Sequence, residues 1–200
     1  MTSASSGIGR PRDPEKDAAV IASTKQLLLD EGYRGATVAA IARHSGVGAP
    51  TIYRRWPRRE MLIEDAAFRQ TEAISLPERG VDLTADLQEW LGVFLSTLAD
   101  PVTRAALPGL IADYQHDPEM YRRLLDRADS GARSAFIERL TPHLDSTKPD
   151  DAARRLDVAF DVLVGQTLLH ALTFGDTGRA EFTDRTARAL TAMLLSQSWA

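Results

Sequence analysis

The sequence predicts an all-α protein: an N-terminal three-helix helix-turn-helix head joined to a larger helical bundle. Three observations carry this. Across the 200 residues no period-2 run of β-branched residues occurs, and apolar positions recur at helical spacing between Pro and Gly breaks. Residues 33–60, YRGATVAAIARHSGVGAPTIYRRWPRRE, hold two short apolar-periodic segments separated by a glycine-containing turn. The same stretch carries Arg34, Arg43, Arg54, Arg55, Arg58 and Arg59, with no carboxylate between Glu31 and Glu60. A basic second helix after such a turn is the electrostatic footprint of a DNA-binding surface.

Charge is distributed unevenly. The net charge is -4, but residues 1–60 hold ten Lys/Arg against six Asp/Glu, and residues 61–200 hold fourteen against twenty-two. A basic head on an acidic body confines phosphate attraction to one end. With no cysteine, disulfides, thiol catalysis and Cys-ligated metals are excluded. The N-terminus MTSASSGIGRPRDPEK has no apolar signal core, and no run reaches the ~18 uncharged apolar residues of a membrane span. The expected compartment is the cytoplasm, with no membrane partner.

Taken in order, residues 1–12 are expected to be a disordered tail in which Arg10 and Arg12 could reach DNA. The head is expected over 13–60, with the helix-turn-helix at about 36–56, and the regulatory body over 61–200. Pro14 suits the first turn of helix one, acidic Asp13, Glu15 and Asp17 suit its positive end, and Gly32 stops it. Thr37 is the expected N-cap of the second helix, whose inner face carries Val38, Ile41, Ala42 and Ser45. Gly46 supplies a positive φ, Val47 plugs the turn, and Pro50 opens the third helix with Ile52 and Trp56 facing inward. Pro57 ends it, and a fourth helix is expected over 58–75. In the body, helices are expected at 83–99, at 101–114 with a possible break near Pro108, at 118–140, at 150–174 and at 180–198, with a loop over 141–149.

The segment GATVAAIARHSGVGAPTIYRRWPRREMLIEDA resembles the DNA-binding domain of the TetR family of transcriptional regulators. The matching positions are Thr37, Ile41-Ala42, Gly46-Val47, Thr51-Ile52-Tyr53, Trp56-Pro57 and Arg59-Glu60-Met61-Leu62, in order and at the family's spacing. The match covers about residues 14–65. It implies a dimeric, ligand-responsive regulator, most simply a repressor, that leaves a palindromic operator when a small hydrophobic effector enters the body. Departures are Trp56 for the commoner Phe, Arg59 for Lys, Lys25 at a usually apolar position, and Pro50, which removes a backbone donor.

The expected DNA contacts are Thr37, Ala49, Pro50, Thr51, Tyr53, Arg54, Arg55, Arg58 and Arg59. The resemblance implies a phosphate contact for Tyr53. Arg54 or Arg55 can pair with guanine O6 and N7, Arg58 and Arg59 can clamp phosphate, and Ala49 and Thr51 suit a thymine methyl or a hydroxyl contact. Arg43 and His44 equally suit a structural role at a helix C-terminus. In the body, the resemblance implies a cavity, for which Trp90, Phe94, Tyr114, Tyr121, Phe136, Phe160 and His170 are the candidate lining residues; core packing is the alternative for each. From Leu156 to Leu172 the helix expected over 150–174 is apolar on nearly every face, which requires burial beyond its own bundle. A two-fold homodimer interface is therefore expected from Leu156, Phe160, Leu163, Val164 and Leu168 together with Leu190, Met193 and Leu194.

No HExxH, GxSxG or glycine-rich phosphate loop occurs, and His116, His143 and His170 lack clustered partners. No enzyme activity, cofactor or metal is expected. The alternative function is an all-helical enzyme or small-molecule carrier that uses the body cavity without DNA; a second alternative keeps the fold without a small effector.

Overall fold

The computed structural model describes residues 13–68, 75–129, 131–144 and 149–196. The tail with Arg10 and Arg12, the expected continuation of the fourth helix over 69–74, part of the 141–149 loop and the end of the last helix lie outside the described residues. Among the described residues the regular structure is helical, with no strand, and the chain divides into two compact units, Met1–Ala66 and Ala67–Ala200.

The first unit holds α1 (Pro14–Gly35), α2 (Val38–Ser45), α3 (Ala49–Arg55) and most of α4 (Arg59–Phe68). Asp13 caps α1, accepting from the Lys16 backbone N–H, and its carboxylate lies 2.8 Å from Lys16 Nζ. The hydrogen bond from Lys16 holds the Asp13 carboxyl below its ordinary range. Gly32, at φ 68, interrupts the helix where the sequence predicts its end. Val20, Ile21, Leu27 and Leu28 of α1 are buried together with Val38, Ile41, Val47, Ile52 and Trp56. Each such side chain contributes about 1.5–3 kcal/mol by leaving water. Lys25 is half-buried on α1.

The second unit holds α5 (Leu83–Leu98), α6 (Pro101–Tyr114), α7 (Pro118–Asp129), α8 (Ala132–Leu140), a 3₁₀ turn (Thr141–Leu144), α9 (Pro149–Phe174) and α10 (Arg179–Leu195). The core joins Leu87, Trp90, Leu91 and Leu95 of α5 to Phe136 and Leu140 of α8, Leu156, Phe160 and Leu163 of α9, and Phe182, Leu190 and Leu194 of α10. The single helix expected over 118–140 is two helices, because the chain turns at Gly131 with φ 86, a conformation that ends an α-helix. α6 instead runs unbroken through Pro108, whose ring is exposed; the missing donor costs one intrahelical bond and no packing.

Two expectations for the body change. Leu156, Phe160, Leu163, Leu190 and Leu194 are at most 2% exposed and pack inside their own bundle. Val164 and Met193 are half-buried against the same core, and Leu168 is half-buried. The unpartnered apolar stripe of α9 is instead Val158, Val162 and Leu169, at 40%, 37% and 64% exposure, with Gly165 exposed between them. An all-round apolar helix does not disclose from sequence which face its own bundle takes. By length, and by a mean hydropathy of 1.2 over an 18-residue window, Asp151–Phe174 is long and apolar enough to cross a membrane, although it is not a run of uncharged residues. It carries Asp157 and Asp161, and its Leu156, Ala159, Phe160 and Leu163 form a packed core.

The candidate cavity residues fall into separate places. Trp90, Phe94, Phe136 and Phe160 form one ring cluster, with Trp90–Phe136 centroids 5.2 Å apart and edge-to-face, and Phe94–Phe160 at 5.6 Å. Arg133 covers Phe160 at 4.6 Å and bonds Asp157 and Asp161, each at 2.7 Å. Tyr114 is fully buried in α6, and Tyr121 is exposed on α7. His170 is a satisfied core histidine, its Nε2 3.0 Å from the Thr177 carbonyl oxygen and its ring stacked 4.1 Å from Phe182. A depression of about 450 Å³ on the body is open and is lined by Leu76, Glu89, Gly92, Val93 and Arg179 among others, not by the aromatic set.

Candidate nucleic-acid interface

The interface is built on α2, the turn and α3. Thr37 Oγ1 accepts from the Ala40 N–H at 3.2 Å and so starts α2. Gly46, at φ 70, reverses the chain, and Val47 is buried beneath the turn. Ile52 at 1% and Trp56 at 6% exposure anchor α3 from within. Trp56 Nε1 donates to Asp65 Oδ2 at 2.8 Å, which satisfies the buried indole on α4.

With Ile52 inside, Pro50, Tyr53 and Arg54 lie on the outer face at helical spacing and are exposed, Tyr53 by 51%. Thr37, Arg43 and His44 are exposed on α2 or at its cap, and Ala49 and Thr51 are half-buried. His44 Nδ1 lies 3.0 Å from Ser23 Oγ, which ties the end of α2 to α1.

Arg34 is also exposed, whereas Arg55, Arg58 and Arg59 are engaged within the unit. Arg55 Nε donates to Asp17 Oδ1 at 3.0 Å, and Arg55 Nη2 pairs with Asp17 Oδ2. Arg59 Nη1 donates to the Tyr33 carbonyl oxygen at 2.9 Å, and its guanidinium stacks on the Tyr33 ring. Arg58 is less enclosed, at 41% side-chain exposure, with Nε 3.5 Å from Glu60 Oε2. Sequence reasoning missed Asp17 and Tyr33 as partners of these arginines. The one available signal was charge: Asp17 is among the few carboxylates of a basic segment, and it also suits the α1 dipole, which explains it without Arg55.

Residues 20–66 match the family described as bacterial regulatory proteins, tetR family, and residues 76–190 match the tetracyclin repressor-like C-terminal domain. The chain belongs to the TetR family. YdeS of Bacillus subtilis, an uncharacterized HTH-type transcriptional regulator, is 33% identical over 73 residues, 36% of this chain. That alignment spans 37% of the length of YdeS. Another such regulator, Mb2274c of Mycobacterium bovis, is 28% identical over 138 residues, 69% of either chain. Among solved structures, a TetR-family transcriptional regulator of Mesorhizobium loti shares the fold with a TM-score of 0.67 at 16% identity, over 92% of this chain and 98% of that one. The names of the family and of these relatives are those of transcriptional regulators, not of enzymes.

Proposed function

We propose that this TetR-family chain is a cytoplasmic DNA-binding repressor that acts as a homodimer and is released from a palindromic operator by a small hydrophobic effector. The observation that carries the reading is the outer face of α3, where Pro50, Tyr53 and Arg54 stand exposed on a helix anchored by Ile52 and Trp56. Arg54 is suited to a guanine edge or a phosphate, and Tyr53 to a phosphate. Thr37, Ala49, Thr51 and Arg58 flank that face as secondary contacts. Arg55 and Arg59 act as braces.

The homodimer reading is supported by the exposed stripe of Val158, Val162 and Leu169, which a second α9 would cover with Gly165 allowing close approach. The effector reading is supported by the ring cluster of Trp90, Phe94, Phe136 and Phe160. Within it, Trp90 Nε1 is buried and makes no hydrogen bond, so an effector that parts these packed rings would meet it with an acceptor atom. Effector binding lowers operator affinity by no more than its own preference for the released state.

Selection of bound sites from random duplexes with the purified chain tests this reading. The expected result is one pseudo-palindromic site whose half-sites lie about one helical turn, or a multiple, apart. Competition with a library of apolar aromatic compounds then identifies the effector. Recovery of no enriched site would favour the carrier or enzyme alternative.

A further inference from the structure

We propose that Asp17 is a positioning residue for the DNA-contact helix: through its two-point grip on Arg55 it sets the rotation of α3, and so decides which side chains meet the duplex. This rests on the DNA-binding reading above and adds to it a residue outside the helix-turn-helix.

The need for such a residue follows from the weakness of α3 itself. It has seven residues, Ala49–Arg55, too few to be stable alone. Its N-cap, Gly48, makes no side-chain cap bond, and Pro50 in the first turn has no N–H. Ile52 is its one buried side chain. Ile52 and the buried Trp56 just beyond the helix end lie along one line of its inner face, and a helix held along one line can still rock about it. Trp56, just beyond the end, is tied to Asp65 of α4 and holds the exit of the chain.

Arg55, three positions after Ile52, provides a second fixed point on the helix itself. Its Nε and Nη2 address the two oxygens of one carboxylate, a fork-to-fork contact that fixes direction as well as distance. The two side chains are 24% and 21% exposed, so the pair is less screened than a surface pair. Asp17 is itself held firmly, because Val20 and Ile21, one turn along α1, are buried. With Ile52 and Arg55 both turned inward, Pro50, Tyr53 and Arg54 are left facing out. Arg55 thus acts on DNA through the placement of its neighbours.

The test uses the full chain and the operator enriched by the wild-type protein. Affinity is measured for that operator and for an unrelated duplex at one salt concentration, with circular dichroism melting to check the fold. Asp17→Asn should lower operator affinity about tenfold while binding to the unrelated duplex stays the same or strengthens, since the freed Arg55 adds a mobile positive charge. The double variant with Arg55→Gln should lose no more operator affinity than Asp17→Asn alone. Arg55→Lys, which keeps the charge and loses the fork, should show the same selective loss; it decides the matter if Asp17→Asn melts below the assay temperature. Additive losses, an unchanged operator-to-unrelated ratio, or tighter operator binding by Asp17→Asn would overturn the inference. A wild-type protein that enriches no operator overturns the DNA-binding reading and this inference together, whereas additive losses on a real operator overturn this inference alone.

Discussion

The guanidinium of Arg59 lies 4.4 Å above the ring of Tyr33 and donates to the Tyr33 carbonyl oxygen at 2.9 Å. The contact ties the first turn of α4 to the end of α1, just past the turn at Gly32. At 23% side-chain exposure the arginine is largely withdrawn from solvent. We therefore propose a bracing role for Arg59 in place of the phosphate clamp that the resemblance implies. Arg59→Ala should lower stability by about 2–4 kcal/mol, the worth of a cation–π contact plus a charged hydrogen bond. Thermal melting reads this directly. Measured where the variant is fully folded, its loss of DNA affinity should be smaller than that of Arg54→Ala; an affinity loss with no change in melting would restore the phosphate clamp.

Because Arg55 and Arg59 are engaged internally, fewer cations face the duplex than the sequence suggests. With Arg54, Arg58 and the exposed Arg43 as the main contributors on each chain, about four to six phosphates are neutralised per dimer, and the log–log salt slope should be roughly -4 to -5. Arg54→Ala should cost about 1–3 kcal/mol on the operator and relax selectivity at one base pair if it reads guanine. Titration of fluorescent duplexes across salt concentrations measures both. A flat salt dependence would remove the nucleic-acid reading.

The helices of the head were legible because each is announced locally: Pro14 as a first-turn residue, Thr37 as a cap, Gly32 and Gly46 as positive-φ stops, Ile52 and Trp56 as a buried pair at helical spacing. What the sequence could not supply were partners chosen in three dimensions. Arg54 and Arg55 are adjacent and chemically identical, yet a 100° step along the helix exposes one and delivers the other to a carboxylate 38 residues away. The same limit explains the body. An apolar residue on α9 reads alike whether it meets its own bundle, as Leu163 does, or solvent, as Leu169 does. His170, marked by its position in an apolar helix, is satisfied by a carbonyl that only the turn before α10 brings within reach.

A buried carboxylate closes the start of α5. Asp86 accepts from the Gly80 N–H at 2.9 and 3.0 Å, and His143 Nε2 lies 2.7 Å from its Oδ2. A Cβ on Gly80 would stand 2.5 Å from Asp86 Oδ1. Gly80→Ala should therefore push the carboxylate off both partners and lower stability by about 1–3 kcal/mol, as for a buried polar group left unpaired. His143→Ala should cost less, since the bonds from Gly80 remain. Urea unfolding compares the two midpoints; a neutral Gly80→Ala would mean that the loop before α5 shifts freely.

The last prediction separates two leucines six residues apart on α9. Leu163 is 0% exposed within the core, whereas Leu169 is 64% exposed on the stripe with Val158 and Val162. A charge at Leu163 has no water to reach and no partner, so Leu163→Glu should unfold the body. A charge at Leu169 remains solvated in one chain and becomes costly only when a second α9 covers it. A stable dimer would bury at least about 1,200 Å² in total, and its two-fold axis would place each charge near its own copy or an apolar neighbour. Leu169→Glu should therefore give a folded monomer in sedimentation equilibrium, with a wild-type melting profile at low concentration. Operator binding should be lost with it, because one head alone contacts one half-site. If Leu169→Glu sediments as a dimer, the interface lies elsewhere than on the exposed stripe of α9; if the wild-type chain is monomeric at micromolar concentration, the palindrome goes with it.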